Sequence, residues 1–305
     1  MHLTKPESSF QIAIHVAISH ARLYRDPTHK PPASERLITL VSHRHRFIFL
    51  RTHKTASTSV EAALEPLCLP EGANVGPHYR DMAVTEEGIV GARGGAYQDR
   101  DWVAHMGALR VRRKLGLSVW RQYAKIAVVR NPYDRMVSMF WWRLSNDDRV
   151  TLADAPFDSV KSAFGNWLAQ TDAGKNTGKL CIGPRYCLNY VLYFERLDAE
   201  VSALFQILGV QQPELPRYKS GARLRSEPWC EYYCVTTDRI IKRQSGFELA
   251  FFGYDLHGGP YRQTAKRRAT RLLRLSPGRI SNALRHPRSP LEITSDPLDH
   301  SGPRD

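Results

Sequence analysis

No stretch of this chain approaches the run of about eighteen apolar residues needed to cross a bilayer as a helix. The best N-terminal candidate, Phe10 to Ile18, is short and carries His15. It lacks the basic start, clean apolar run and small-residue cleavage site of a secretory leader. A cytoplasmic location is the expectation. Cysteine is scarce: five in 305 residues, too few and too odd in number for a disulfide framework. Cys181 and Cys187 are six apart and Cys230 and Cys234 four apart, so neither pair has the C-x-x-C spacing of a zinc site. These two pairs and Cys68 read as reduced structural thiols. Internal repeats are absent.

What is present is an ordinary globular composition, 42% hydrophobic and 24% charged, on a chain long enough for one large α/β domain or two small ones. The formal charge is +14, which favours anionic partners through long-range attraction. Charge alone does not choose among nucleotide, nucleic acid, membrane surface and acidic polysaccharide. Part of it sits in the segment from Arg262 onward, which is low in apolar residues and rich in Lys and Arg.

Hydrophobic periodicity gives the order of elements. Residues 1–43 read as an N-terminal extension, with Pro31-Pro32 as an extended linker. Phe47-Ile-Phe-Leu50 is a buried parallel strand. Ser59 to Leu67 then places Val60, Ala63, Leu64 and Leu67 at helical spacing, completing strand, loop and helix. The glycine-rich segment 70–101 reads mostly as loop, and Trp102 to Leu117 as a short helix. Ile126-Ala-Val-Val129 is a second buried strand, and Pro132 suits the first turn of the helix that follows to Leu144. Residues 145–185 form a helical and loop insertion. Val191 to Phe194 is a third strand, and Asp198 caps a helix ending at Gly209. Trp229 to Tyr254 is helical with an interruption near Gly246, and 257–305 form a basic tail. The fold class expected is α/β, a three-layer arrangement with a central, mainly parallel sheet flanked by helices, in a domain spanning 44–256.

Two windows carry chemistry. Between the first strand and its helix lies Arg51-Thr-His-Lys-Thr-Ala-Ser-Thr-Ser59, with a lysine and several hydroxyls where a helix N-terminus presents unpaired N–H groups. Lys54 adds a full charge, and Thr55, Ser57, Thr58 and Ser59 add short donors for phosphate oxygens. A Ser/Thr-rich helix cap beside a solvated Lys54 would explain this window equally well. The loop is not G-x-x-x-x-G-K-S/T, because no glycine lies between Phe47 and Val60. That weighs against a magnesium-dependent kinase or other NTPase. The second window, Arg130-Asn-Pro-Tyr-Asp-Arg-Met-Val-Ser138, puts an arginine at a strand end and a serine under two helical turns beyond Pro132. A forked guanidinium plus a hydroxyl suits a terminal phosphate; an ordinary strand-to-helix junction with an exposed arginine is the plainer reading.

Together, in this order, the two windows resemble those of sulfotransferases that use 3′-phosphoadenosine 5′-phosphosulfate (PAPS). The resemblance is to the Golgi-type carbohydrate family and its bacterial relatives, most of all the uronyl 2-O-sulfotransferase-like branch. The second window fits the family's R-N/D-P-x-D/E-R-x-V-S pattern throughout. The resemblance implies a P-loop-like fold and a 5′-phosphosulfate loop made by Lys54, Thr55, Ala56, Ser57, Thr58 and Ser59. It implies that Lys54 touches the bridging oxygen, and that Arg130 and Ser138 hold the 3′-phosphate. Arg135 is expected to hold its helix in place by pairing with Asp134 or a neighbouring carboxylate. Tyr193-Phe-Glu-Arg-Leu197 and the Glu248 to Tyr254 segment are similar to later landmarks of the family.

Transfer to an alcohol needs a group to take the hydroxyl proton, usually His or Glu at neutral pH. His105 is the candidate by its resemblance to a histidine between the phosphate motifs that serves as base in the 2-O branch. His53, His78, Glu61 and Glu195 stand as alternatives, Glu195 with a structural role preferred. No metal is required if lysine, arginine and helix N–H groups neutralise the developing charge. The acceptor is expected to be a glycan or glycoconjugate. Arg110, Arg112, Arg113 and Lys114 could carry an acidic chain or simply form a solvated helix face. Trp141 and Trp142 could stack on sugars or lie in the core. Lys219, Arg223 and Arg225 form a late basic loop of the kind that closes over the nucleotide in sulfotransferases. A nucleic-acid-binding protein would also explain the charge, but no recognised binding module is visible, so no nucleic-acid partner is expected.

Overall fold

The computed structural model describes residues 39–73, 82–92, 102, 106–171, 176–216, 218 and 221–259. Among these, residues within 36–129 and 178–218 make one compact unit and residues within 130–177 and 219–263 another.

The first unit holds the sheet. Strands Leu40–Ser42 (β1) and Phe47–Phe49 (β2) form a hairpin with Leu40 opposite Phe49, and Arg46 enters β2 in a left-handed conformation at φ 52°. Helix Ser57–Leu64 (α1) follows, extended by a 3-10 turn at Glu65–Cys68. A second hairpin, Ala83–Val84 (β3) and Gly88–Val90 (β4), lays β4 against β1. Gly88 permits this close approach: a Cβ there would stand 2.2 Å from the Val41 carbonyl oxygen and 2.9 Å from that of Cys68. Helix Ala108–Gln122 (α2) is broken at Gly116, whose φ of 77° lies outside the range of ordinary helical residues. Strand Ala124–Val129 (β5), buried along its whole length, then enters the sheet.

In the second unit, Pro132–Arg143 (α3), Asn146–Asp154 (α4) and Phe157–Gln170 (α5) precede the chain's return to the first. There Thr177–Leu180 (α6) leads to the small hairpin Cys181–Ile182 (β6) and Arg185–Tyr186 (β7). Strand Tyr190–Tyr193 (β8), a 3-10 turn at Phe194–Arg196 and helix Leu197–Leu208 (α7) follow. A 3-10 turn at Trp229–Tyr232 and helix Val235–Phe252 (α8) complete the second unit.

The strand order β3-β4-β1-β2-β5-β8 is mixed, which corrects the expectation of a mainly parallel sheet. Among the described strands of this sheet, β2–β5 and β5–β8 pair in parallel, while β1–β2, β1–β4 and β3–β4 are antiparallel. Two strands joined by a turn of a few residues can only fold back antiparallel, and the two hairpins do this. The parallel strands are those reached through long crossovers. The sheet buries Phe47, Phe49 and Ile126 against Leu64 of α1 and Leu204 and Phe205 of α7. The second unit has its own core of Phe140, Trp141, Phe164, Tyr232 and Ile241. Its rings meet edge to face, Phe140–Phe164 at 5.5 Å and Phe164–Tyr232 at 5.7 Å.

Other boundaries moved for identifiable reasons. Leu40–Ser42, within the segment read as N-terminal extension, is a central strand too short to register as a periodic run. The expected loop 70–101 contains β3 and β4, hidden by Gly88. Helix α2 begins six residues after Trp102, behind Gly107 as N-cap. The cap of α7 is Arg196 rather than Asp198, though Gly209 ends it in the left-handed conformation as expected. The break in the last helix falls at Ser245, beside the expected Gly246. The five cysteines form no disulfide. Most of the N-terminal extension and of the basic tail lie outside the described residues.

Candidate functional site

The loop after β2 leaves the sheet beside β5, with the Leu50 N–H donating to the Ile126 carbonyl at 2.7 Å. Thr52 then donates its hydroxyl to the Val128 carbonyl at 2.5 Å, pinning the loop to the C-terminal end of β5. From there the backbone turns left-handed twice, at Lys54 (φ 53°) and Ala56 (φ 57°). Each such turn costs a non-glycine residue about 1–2 kcal/mol. Glycine would remove the cost, so its absence means that other contacts must hold the shape.

A buried cluster of hydroxyls provides them. Thr52, Thr55 and Ser57 are at most 3% exposed. Their oxygens lie 2.7 Å apart for Thr52–Thr55, 2.6 Å for Thr55–Ser57 and 3.3 Å for Thr52–Ser57. Ser57 also donates to the Thr52 carbonyl at 3.1 Å. Thr55 and Ser57 thus turn their hydroxyls inward, toward each other. The outer side of the loop is left to Lys54, Ala56 and Thr58, which are half-buried.

Ala56 is the N-cap of α1; its carbonyl accepts from the Ser59 and Val60 N–H groups at 3.0 and 3.4 Å, but it has no side-chain oxygen to cap the N–H groups of Ser57 and Thr58. Successive N–H groups around left-handed residues make a concavity suited to an anion. The helix start is anchored below by a buried ion pair between Arg51 and Glu61, 4% and 1% exposed. Arg51 Nη2 also donates to Thr58 Oγ1 at 2.7 Å. Ser59, 4% exposed, accepts from the Tyr218 N–H at 3.4 Å. Glu61, one of the alternative bases, is therefore an anchor of this loop. Glu195 is exposed in the turn after β8, and His53 is half-buried beside Lys54.

Arg130 follows β5 directly and opens the second unit. Its Nε donates to Asp134 Oδ2 at 2.7 Å, one helical turn on, with both side chains mostly shielded. Asp134 therefore orients Arg130, which corrects its suggested pairing with Arg135. Arg135 instead makes a fully buried two-pronged pair with Glu248 of α8, its Nη2 reaching Oε1 at 3.0 Å. Asn131 caps α3, its Oδ1 accepting from the Tyr133 N–H at 3.0 Å. Ser138 is half-buried on α3.

A family model described as "Sulfotransferase family" matches residues 38–227, more than half the chain. The chain belongs to the sulfotransferase family. The mixed α/β fold agrees with this membership, and the chemistry it brings is sulfuryl transfer. No curated protein and no solved structure matches the chain.

Within this sulfotransferase the two windows fall into different units: Lys54 to Ser59 in the first, Arg130 and Ser138 in the second. His105, His78 and Lys219 lie outside the described residues. Trp141 is fully buried and donates its Nε1 to the Tyr232 hydroxyl at 3.2 Å, so it is core. Trp142 is half-buried under the Arg143 guanidinium, 5.8 Å from its ring. Arg110, Arg113 and Lys114 face outward on α2, while Arg112 is half-buried. Arg225 binds Glu227 and caps α4 by donating to the Ala153 and Ala155 carbonyls at 2.8 and 2.7 Å. That role is structural. Among the described residues, no group of three or more His, Cys, Asp or Glu side chains could hold a metal ion. None of their helices is long and apolar enough to cross a membrane.

Sequence reasoning missed Thr52, Asp134 and Asn131. Thr52 looked like any loop hydroxyl, and only its reach to Val128 reveals its task. Asp134 stood as one of two kinds of partner for Arg135, the other being a neighbouring carboxylate, although i,i+4 spacing favours Arg130.

Proposed function

We propose that the chain is a PAPS-dependent sulfotransferase acting on a hydroxyl of a carbohydrate acceptor. The observation that carries this reading is the glycine-free loop at the C-terminal end of β2, left-handed at Lys54 and Ala56. It opens onto a helix whose N-cap has no side-chain bond. A loop held in a costly shape by buried hydroxyls, with a lysine on its outer side, fits a phosphate better than a solvated cap does. We extend the reading to a P-loop-like arrangement and a functional domain over 44–256, in which Arg130 and Ser138 take the 3′-phosphate.

PAPS supplies the sulfuryl group when bound. The N–H groups of Lys54 to Thr58 receive the 5′-phosphate together with the hydroxyls of Thr58 and Ser59 at the helix start, the Ser59 N–H being held by the Ala56 carbonyl at 3.0 Å. The inward-turned hydroxyls of Thr55 and Ser57 stiffen the loop and leave their backbone donors for the ligand. The acceptor oxygen attacks sulfur in line; the S–O bond to the phosphate breaks as the new O–S bond forms, and the electron pair leaves on the phosphate. The Lys54 ammonium stabilises that charge. His105 takes the acceptor's proton. Asp134 fixes one edge of Arg130 by its 2.7 Å contact, so that the guanidinium meets the 3′-phosphate pre-oriented.

Binding competition on the intact chain tests the reading. Adenosine 3′,5′-bisphosphate should bind without magnesium and displace PAPS. ATP–Mg²⁺ binding in its place would indicate a kinase, and salt-sensitive DNA binding alone a nucleic-acid protein. Radiolabelled PAPS offered with a panel of glycans and small alcohols should then label a glycan.

A further inference from the structure

The residue next to Arg130 makes contacts that no phosphate role explains. Asn131 is 2% exposed and is the N-cap of α3, but its amide nitrogen points the other way. Nδ2 donates to the Asp255 carbonyl at 2.8 Å and the Gly258 carbonyl at 2.9 Å, more than 120 residues along the chain. Those carbonyls belong to a tight turn after α8, closed by the Asp255 N–H on the Gly258 carbonyl at 3.1 Å. Asp255 Oδ1 accepts from the N–H groups of His257 and Gly258 at 2.7 and 3.0 Å. The turn leaves little space: a Cβ on Gly259, at φ 102°, would stand 2.6 Å from the Gly253 carbonyl oxygen.

We propose that Asn131 and the Asp255–Gly258 turn form a latch that positions Arg130 for the nucleotide's 3′-phosphate. The inference rests on the PAPS reading above. Arg130 has its guanidinium fixed through Asp134 in the first turn of α3, so its placement follows the placement of that helix start. Both ends of the Asn131 amide are committed, one to α3 and one to the turn, which removes rotation about the side chain as a source of slack. Two further ties hold the same helix: the Tyr133 hydroxyl donates to Asp238 at 2.5 Å, and Arg135 pairs with Glu248. Every partner in these three ties lies after residue 227, where the family match ends. The chain's final described segment is thus part of the cofactor-binding apparatus as a support, and Asn131 is a positioning residue.

Asn131→Ser separates the two halves of this role. Serine keeps an oxygen that caps α3 but loses the amide NH2 group that reaches both carbonyls of the turn. The expected result is a rise of about tenfold in the dissociation constant for adenosine 3′,5′-bisphosphate and in KM for PAPS, at unchanged kcat, since two hydrogen bonds are lost but no reacting group. Gly259→Ala, which distorts the turn from its far side, should give the same split. Hydrogen exchange at the Gly258 amide should quicken in Asn131→Ser, while thermal stability of the rest of the chain stays near that of the wild type. Wild-type bisphosphate affinity in Asn131→Ser, with faster exchange at Gly258, overturns the latch while leaving the nucleotide reading intact. Loss of kcat in proportion to folded protein, with KM unchanged, reduces Asn131 to a structural residue and overturns it too. A wild-type chain that binds no bisphosphate overturns both the latch and the reading on which it rests.

Discussion

The buried pair Arg51–Glu61 sets the exit of β2 and the start of α1, so its removal should act on stability before it acts on chemistry. Both side chains are almost wholly out of water, 4% and 1% exposed. Replacing Glu61 by methionine removes the carboxylate that neutralises the Arg51 guanidinium in an interior site. Breaking a buried pair from one side costs about 3–5 kcal/mol, because the remaining charge keeps its desolvation penalty. With a urea slope of about 2 kcal/mol per molar, this corresponds to a midpoint lowered by roughly 2 M. Arg51→Met should cost a similar amount, and it also takes a donor from Thr58 Oγ1, worth about 1 kcal/mol. The double variant removes both charges and fills the site with apolar atoms. It should therefore lie far closer to the wild type than either single variant does. Urea unfolding of the four proteins, followed by circular dichroism and tryptophan fluorescence, measures this cycle. Losses that simply add in the double variant, or a Glu61→Met protein within about 1 kcal/mol of wild type, would refute the reasoning.

Lys54→Ala should abolish transfer while unfolding at the wild-type midpoint, and Arg130→Ala should raise KM for PAPS far more than it lowers kcat; both are read from initial rates with radiolabelled donor. Lys125, on β5, donates its buried ammonium to the Trp120 and Tyr123 carbonyls at 2.9 Å each, and burial pulls its pKa down from 10.5 to about 8. The folded chain then binds fewer protons than the unfolded one between those values, so Lys125 costs most below pH 8 and progressively less as the pH rises. The stability difference between wild type and Lys125→Met should move in favour of wild type from pH 7.5 to 10, measured by urea midpoints. Cys234 is exposed, and its thiol pKa is lowered chiefly by the Thr237 N–H, whereas burial pushes Cys187 up to about 12 and raises Cys68 as well. A limiting amount of an alkylating reagent at pH 7 should label Cys234 first; equal labelling of Cys68, located by peptide mass, would contradict its burial.

Much of this protein is determined locally. Phe47 to Phe49 and Ile126 to Val129 are strands because compact apolar runs suit strands buried on both faces. Pro132 begins α3 and Gly209 ends α7 because each residue's backbone preference suits that one position. The two windows around Lys54 and Arg130 stand out in the sequence for the same reason, since the residues of each lie within a few positions of one another. What the sequence left open depends on partners far along the chain. The direction of the outer strands followed from hairpins too short to show a period. Thr52 acquired its task only when β5 brought the Val128 carbonyl to its hydroxyl. Asn131 and Arg135 were spoken for by Gly258 and Glu248, more than a hundred residues away. Adjacent side chains compete for local partners in any sequence reading; which of them wins is decided by the burial that only the folded chain imposes.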